Sequence, residues 1–300
     1  MVIKVLEIIA AVIIALVIGI FFLGLFRKIM ARIQWRHGPP IIQPLLDIFK
    51  LFHQKGFSHG IIFNLGIILS LAASIVLILF IPIGGLSSLE TSGGLFVILY
   101  IMLFKPLGIA LSGGEGANPN ISIGISRKLI LSLGYEVPLL LILISVMTYY
   151  KTISIVEIVN AQSNFQWSLF SPLFLSGLTY LMILPAILEI RPFDIASAPQ
   201  EISSGPAVEY SGRYLALYHI EHAFSLFIST AIFVDLFLGG GANPFYFLLK
   251  MLVVFVLGVF IHAVFPRFRT EQAIRYLWRW PAILAVAGLI IILIMKARYG

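Results

Sequence analysis

Apolar residues run along this chain in long, nearly unbroken stretches, separated by short polar segments. Eight such stretches stand out, at about 4–26, 61–83, 94–112, 126–150, 170–189, 214–238, 246–265 and 279–297. Each holds roughly 18 to 25 residues, enough to cross about 30 Å of hydrocarbon as a helix. The pattern predicts an all-α, polytopic membrane protein with about eight transmembrane helices. The third stretch is the weakest, because Lys105 and Pro106 interrupt it and Gly113, Gly114 and Gly116 follow at once. The segment 154–168 is too polar to span. Its Ile155, Ile158 and Val159 recur at helical spacing, which predicts a short interfacial helix. Trp167, Trp278 and Trp280 near stretch ends fit an aromatic belt. Eight spans with short connections nearly fill the 300 residues, so one membrane domain over 1–300 is expected.

Composition excludes a soluble protein: 60% of residues are hydrophobic and 11% charged, and the mean hydropathy is +1.05. The run from Val5 to Leu25 is too long for a signal-peptide core and reads as a permanent first span. No cysteine is present, so the chain has no thiolates for an iron–sulfur cluster, and electrons of any redox role travel in a partner.

The net charge of +7 is unevenly placed. The connections after spans 1, 3, 5 and 7 hold 14 basic residues, from Arg27 and Lys28 through Arg127 and Lys128 to Arg275 and Arg279. The other side holds five: Lys4, Lys151, Lys250, Lys296 and Arg298. This asymmetry predicts that the polar loops near 27–60, 113–125, 190–213 and 266–279 are cytoplasmic and both termini outside. It accounts for the charge without nucleic acid. No fixed-period repeat is visible, which argues against a stand-alone transporter built from inverted repeats.

Candidate chemistry lies with the acids, of which there are 13. Asp194, Glu201 and Glu209 share the segment 190–212, with Glu189 just before it and Glu221 just after. Carboxylates gathered against membrane helices mark ion paths or docking sites more often than plain loops. Glu136 lies about ten residues into the fourth span, and Lys105 is the lysine placed centrally in a span, so Glu136 or Glu115 is its expected partner. Glu209 and Arg213 are four apart and would pair if the sixth span has already begun. Together Lys105, Glu136, Asp194, Glu201, Glu209 and Glu221 are expected to form a polar track, with Glu115 and Arg213 beside it. His219 and His222 share a helical face, but two imidazoles without a closed ligand set predict packing rather than a metal site. In the first loop, Gly38, Pro39 and Pro40 make a rigid turn before an amphipathic segment. Its Leu45, Leu46, Phe49 and Phe52 should face the membrane surface, with Asp47 near Lys50.

Five motifs then occur in order: Ala-Arg-Ile-Gln-x-Arg-x-Gly-Pro at 31–39, Gly-Tyr-Glu-Val at 134–137, Pro-Phe-Asp-Ile at 192–195, Glu-Tyr-Ser-Gly at 209–212 and Pro-Arg-Phe-Arg at 266–269. Together they resemble the heel subunit of respiratory complex I and its relatives, over almost the entire chain. The compact turn at Gly38, with Ser197, Pro199 and Pro206 where quinone-reducing relatives favour acids or an aromatic residue, is more similar to the membrane-bound [NiFe] hydrogenase and sulfur-reductase branch. The resemblance implies a membrane subunit that couples a ferredoxin-linked peripheral redox arm to proton or sodium translocation. It implies no catalytic residue and no cofactor in this chain. Iron–sulfur clusters, and a NiFe centre in the hydrogenase case, belong to hydrogenase-like large and small subunits, and antiporter-like membrane subunits complete the complex. Arg32, Arg36, Asp47, Lys50, Arg191, Arg267 and Arg269 are the residues expected to dock the peripheral arm. A sulfur or polysulfide reductase, or a quinone-linked complex, would use the same subunit.

Overall fold

A computed structural model describes residues 2–85, 89, 94–116, 118–162, 166–241 and 243–299, with side chains from Leu6 to Arg298. The described residues form helices joined by short turns, with no β-sheet among them. In chain order the helices are α1 (Val2–Ile33), α2 (Gln43–Phe52), α3 (Ile61–Phe80), α4 (Gly94–Gly114), α5 (Pro119–Tyr150), α6 (Ile155–Ala161), α7 (Phe174–Ile187), α8 (Pro199–Ile202), α9 (Gly212–Phe237), α10 (Pro244–Val264) and α11 (Thr270–Tyr299). Seven of them are long and apolar enough to cross a membrane: α1, α3, α4, α5, α9, α10 and α11. The fifth apolar stretch is the shorter α7, 14 residues long.

Each expected span is thus a helix, and the differences lie at the ends. The fourth begins at Pro119 rather than near 126, because Asn118 caps it: the Asn118 side chain accepts the Asn120 N–H at 3.0 Å and proline takes the first helical position. The weak third stretch is one continuous helix with Pro106 inside it. Prolines are tolerated in membrane helices whose neighbours satisfy the freed backbone groups. The interfacial segment is helical only over α6, with Ile155 and Ile158 buried. Its Ser163, Asn164 and Phe165 lie outside the described residues.

Without a hydrophobic drive between helices in lipid, close packing of small residues holds such a bundle together. The contact of α3 with α4 is the clearest case. A Cβ on Gly66 would lie 2.4 Å from the Ser112 nitrogen, and one on Gly108 would lie 2.6 Å from the Ser70 nitrogen. At the centre α9 is almost wholly buried, its Phe233 and Phe237 packing with Tyr180 of α7. Outside, α1 turns Leu6, Ile9, Ile13 and Val17 away from the bundle, at helical spacing.

α2 departs from the single apolar face expected of it. Ile48 and Pro44 are buried, with Ile48 packing beside Ile20, Ala216 and Ala223 of α1 and α9. Leu46, Phe49 and Phe52 face outward while Leu45 joins the inner cluster. The helix is apolar on two sides, one for the bundle and one left exposed.

Candidate functional site

Inside the bundle, two lysines and two glutamates converge on one cavity. α4 supplies Lys105 and Pro106, and α5 supplies Lys128, Leu131, Ser132 and Tyr135, which recur at helical spacing on one face. Glu189 enters from the turn after α7, held by a left-handed backbone at φ +53°, and α9 supplies Glu221 and Ser225. The Lys105 ammonium donates to Ser225 Oγ at 2.7 Å and lies 3.9 Å from Glu221 Oε1. Lys128 donates to Glu189. The cavity between them is about 20 Å³, enough for about one water molecule with several polar side chains in its walls. Two lysines and two glutamates make a set that carries no net charge when all four are ionised. In a low-dielectric interior, any proton gained or lost by one member acts strongly on the other three.

This corrects the expected pairing of Lys105. Its acid is Glu221 on α9, not Glu136 or Glu115. Glu136 is half-buried on α5, does not line the cavity, and has no hydrogen bond or ion pair among the described residues. Sequence reasoning also missed Lys128, counted among the loop cations, and Glu189, counted as a flank. The signal for Lys128 was the Asn-Pro helix start at 118–119, which places it well inside α5 rather than at a span's edge.

Beside the cavity, two of the five motifs clasp each other. Arg267 Nη2 donates to Asp194 Oδ2 at 2.8 Å, and Arg267 Nη1 lies 3.7 Å from Glu201 Oε1. Arg127 donates to Glu201 Oε2 at 2.9 Å and to the Ile195 carbonyl at 3.3 Å. Ser197 donates to Asp194, the Phe268 N–H to the Pro192 carbonyl at 2.9 Å, and Phe193 packs on Phe268 and Tyr276. His262, left unassigned by the sequence, accepts the Arg191 N–H at 2.9 Å. The Arg127 hydrogen bond, opposed by partial burial and reinforced by the Arg127 charge, holds the Glu201 carboxyl below its ordinary value.

The remaining acids have structural partners nearby. Glu115, at the end of α4, accepts the Phe63 N–H at 2.6 Å and so caps α3. Glu209 stands 4.0 Å from His59 and does not pair with Arg213. α9 starts only at Gly212, so Glu209 precedes the helix that would have aligned the two, and Arg213 instead lies over the Tyr214 ring at 5.3 Å. Asp47 accepts from Arg27 at 3.1 Å and from Gln43 at 2.8 Å rather than meeting Lys50. Burial raises its carboxyl, but the bonds from Gln43 and Arg27 outweigh this and leave it below the ordinary value. Of the residues expected to dock a partner, Arg32, Arg36, Lys50 and Arg269 are exposed and Arg191 partly so. Arg267 is engaged with Asp194 and Glu201 and is not a free cation.

The expected track therefore separates into a buried quartet (Lys105, Lys128, Glu189, Glu221), an arginine–carboxylate clasp (Arg127, Asp194, Glu201, Arg267), and a pair of helix-end acids. A multi-pass helical bundle with ionisable groups paired inside it defines the class as a polytopic integral membrane protein. The chain belongs to the NADH dehydrogenase family, whose model matches residues 6–293. It is 28% identical over 288 residues to the H subunit of the NADH-quinone oxidoreductase of Dehalococcoides mccartyi strain CBDB1, covering 91% of this chain and 81% of that protein. With the corresponding protein of Neisseria meningitidis serogroup C strain 053442 the identity is 29% over 300 residues, covering 89% and 84%. A chain of the membrane-bound sulfane sulfur reductase, an archaeal respiratory membrane complex, superposes with a TM-score of 0.92 at 39% identity, over 96% of this chain and 99% of that one. The resemblance carried by the five motifs is borne out: this is a complex I-related membrane subunit of the heel type.

Proposed function

We propose that this chain joins a peripheral redox arm to ion movement in a ferredoxin-linked respiratory complex, as its non-catalytic coupling subunit. The observation that carries this reading is the buried quartet. Lys105 and Glu221 share a cavity with Lys128 and Glu189, and the Asp194–Arg267 and Glu201–Arg127 clasp lies just beyond. A charge change at the clasp, caused by reduction in a docked partner, favours a proton shift among the four groups. Protonating Glu221 releases Lys105 from its acid, and the ammonium then answers to Ser225 and Glu189 instead.

In this reading the exposed Arg32, Arg36, Lys50 and Arg269 receive hydrogenase-like large and small iron–sulfur subunits on the cytoplasmic side. Antiporter-like subunits take the displaced charge onward, and no cofactor resides in this chain. The compact turn at Gly38 favours the hydrogenase and sulfur-reducing branch over quinone reduction. The 39% identity to the sulfane sulfur reductase chain supports polysulfide or sulfane sulfur as the acceptor ahead of protons.

The test is the complex in sealed vesicles, with reduced ferredoxin and either polysulfide, protons or a quinone as acceptor. Sulfide formation coupled to ion uptake is expected. Glu221→Gln should leave the complex assembled and abolish ion uptake. Full uptake by this variant would remove the quartet from the mechanism, and quinone reduction would overturn the choice of branch.

A further inference from the structure

At the C-terminal end of α9, 14 residues beyond Glu221, stands a second buried acid with a lysine beside it. Asp235 is fully buried, and neither carboxylate oxygen has a hydrogen-bond partner among the described residues. The charge that acts on it is Lys250, on α10. Lys250 does not hold the carboxylate. Its ammonium donates to the carbonyls of Leu238 at 2.6 Å and Gly240 at 2.7 Å, and lies 5.0 Å from the Trp167 ring. Gly239 and Gly240 adopt left-handed φ values of +68° and +54°, turning those carbonyls back toward α10. A Cβ on Gly240 would lie 3.0 Å from Asp235 Oδ1, so the backbone closes directly over the acid.

Among the described side chains, the other packed elements bring no second cation. Gln162, after α6, donates its amide to the backbone carbonyls of Ile158, Asp235 and Leu236, and accepts the Ser168 N–H. Tyr180 of α7 donates to the Ser229 carbonyl. Glu7 belongs to α1, which packs on α9, but it is not among the charges that act on Asp235. An ionised carboxylate without a donor, at the negative end of a helix, is strongly disfavoured in such surroundings.

We infer that Asp235 is a proton-binding site, neutral while Lys250 is held on the Leu238 and Gly240 carbonyls and ionised when the ammonium swings to it. The proton leaves to water, and Lys250 exchanges two carbonyl acceptors for the carboxylate. The same helix then carries two buried acids beside lysines, Glu221 with Lys105 in its first half and Asp235 with Lys250 at its end, about 21 Å apart along its axis. The inference stands apart from the coupling role, because it concerns where a proton is bound and not what drives it.

Infrared difference spectroscopy against pH, on the full-length protein in lipid vesicles labelled with ¹³C-aspartate, tests this. The chain has three aspartates, and Asp47 and Asp194 are paired with Arg27 and Arg267. A protonated carboxyl band that shifts with the label is expected at neutral pH, absent from Asp235→Asn and lost as pH rises. In Lys250→Gln the band should persist to a pH about one unit higher or more, because the cation favouring the carboxylate is gone. The label and the Lys250 variant keep the test decisive if Asp235→Asn fails to fold. No labelled protonated band at any pH, or a band indifferent to Lys250→Gln, would overturn the inference. Loss of the band on adding sodium at fixed pH would also overturn it, in favour of a metal-cation site.

Discussion

Lys128 and Glu189 form the tighter of the two pairs in the quartet, and each is tolerable inside the bundle only because the other is there. Lys128→Met leaves the Glu189 charge without its partner and should cost on the order of 3 kcal/mol, near the low end for buried pairs because Glu189 keeps some exposure. The double variant Lys128→Met/Glu189→Leu should be destabilised less than either single one, which thermal unfolding in detergent would reveal. Equal or additive losses would show that the pair is not mutual. Glu201 provides a pH signature. Its carboxyl is held below its ordinary value in the fold, so the clasp is complete above about pH 4.3 and weakens as pH falls through the lowered value. Amide exchange over residues 196–204, corrected for intrinsic rates, should accelerate in acid, and Arg127→Ala should flatten that response. The acids themselves were legible, since Asp194, Glu201 and Glu221 stand out in so apolar a chain. Their partners were not. Lys105 meets Glu221 across 116 positions of sequence, and nothing local reports such a contact.

Among the elements, α3 and α4 depend most directly on the absence of side chains. Gly66→Val would push a branched Cβ into the Ser112 nitrogen and the Gly108 carbonyl, both backbone atoms that cannot rotate away. A loss of about 1–3 kcal/mol or more is expected, read as a lower melting temperature. Gly114→Ala is the matched control: a Cβ there meets nothing within 4 Å, so the change should be neutral or slightly stabilising. Periodicity and length located the eight helices well, because in lipid the backbone must bond within its own helix and long apolar runs have few alternatives. Helix starts were less legible. Reading α5 from its apolar run hid its first seven residues and left Lys128 at the edge of a span, where it was counted with the loop cations. The two-sided character of α2 was likewise invisible, since Leu45 and Ile48 turn inward only because α1 and α9 lie beneath them.

For the molecule as a whole, the order of the five motifs carried the family, while the grouping of charges came from tertiary packing. The motifs at 192–195 and 266–269 are more than 70 residues apart, yet one arginine joins them. α7 has a further consequence. Its 14 residues span only about 21 Å, well short of the roughly 30 Å hydrocarbon layer. The mismatch falls largely within the bundle, because α5, α9, α10 and α11 pack against the helix, leaving Phe174 and Leu178 exposed. The shortfall sets Glu189 below the ends of its neighbours, level with Lys105, the twelfth of the 21 residues of α4. That depth predicts that charge moved through the quartet senses a large share of the membrane voltage. With each 100 mV worth about 2.3 kcal/mol per elementary charge, charge movement through the quartet should be steeply voltage-dependent. Ion uptake measured under imposed potassium diffusion potentials would show that slope, and a flat response would place the quartet outside the electric field.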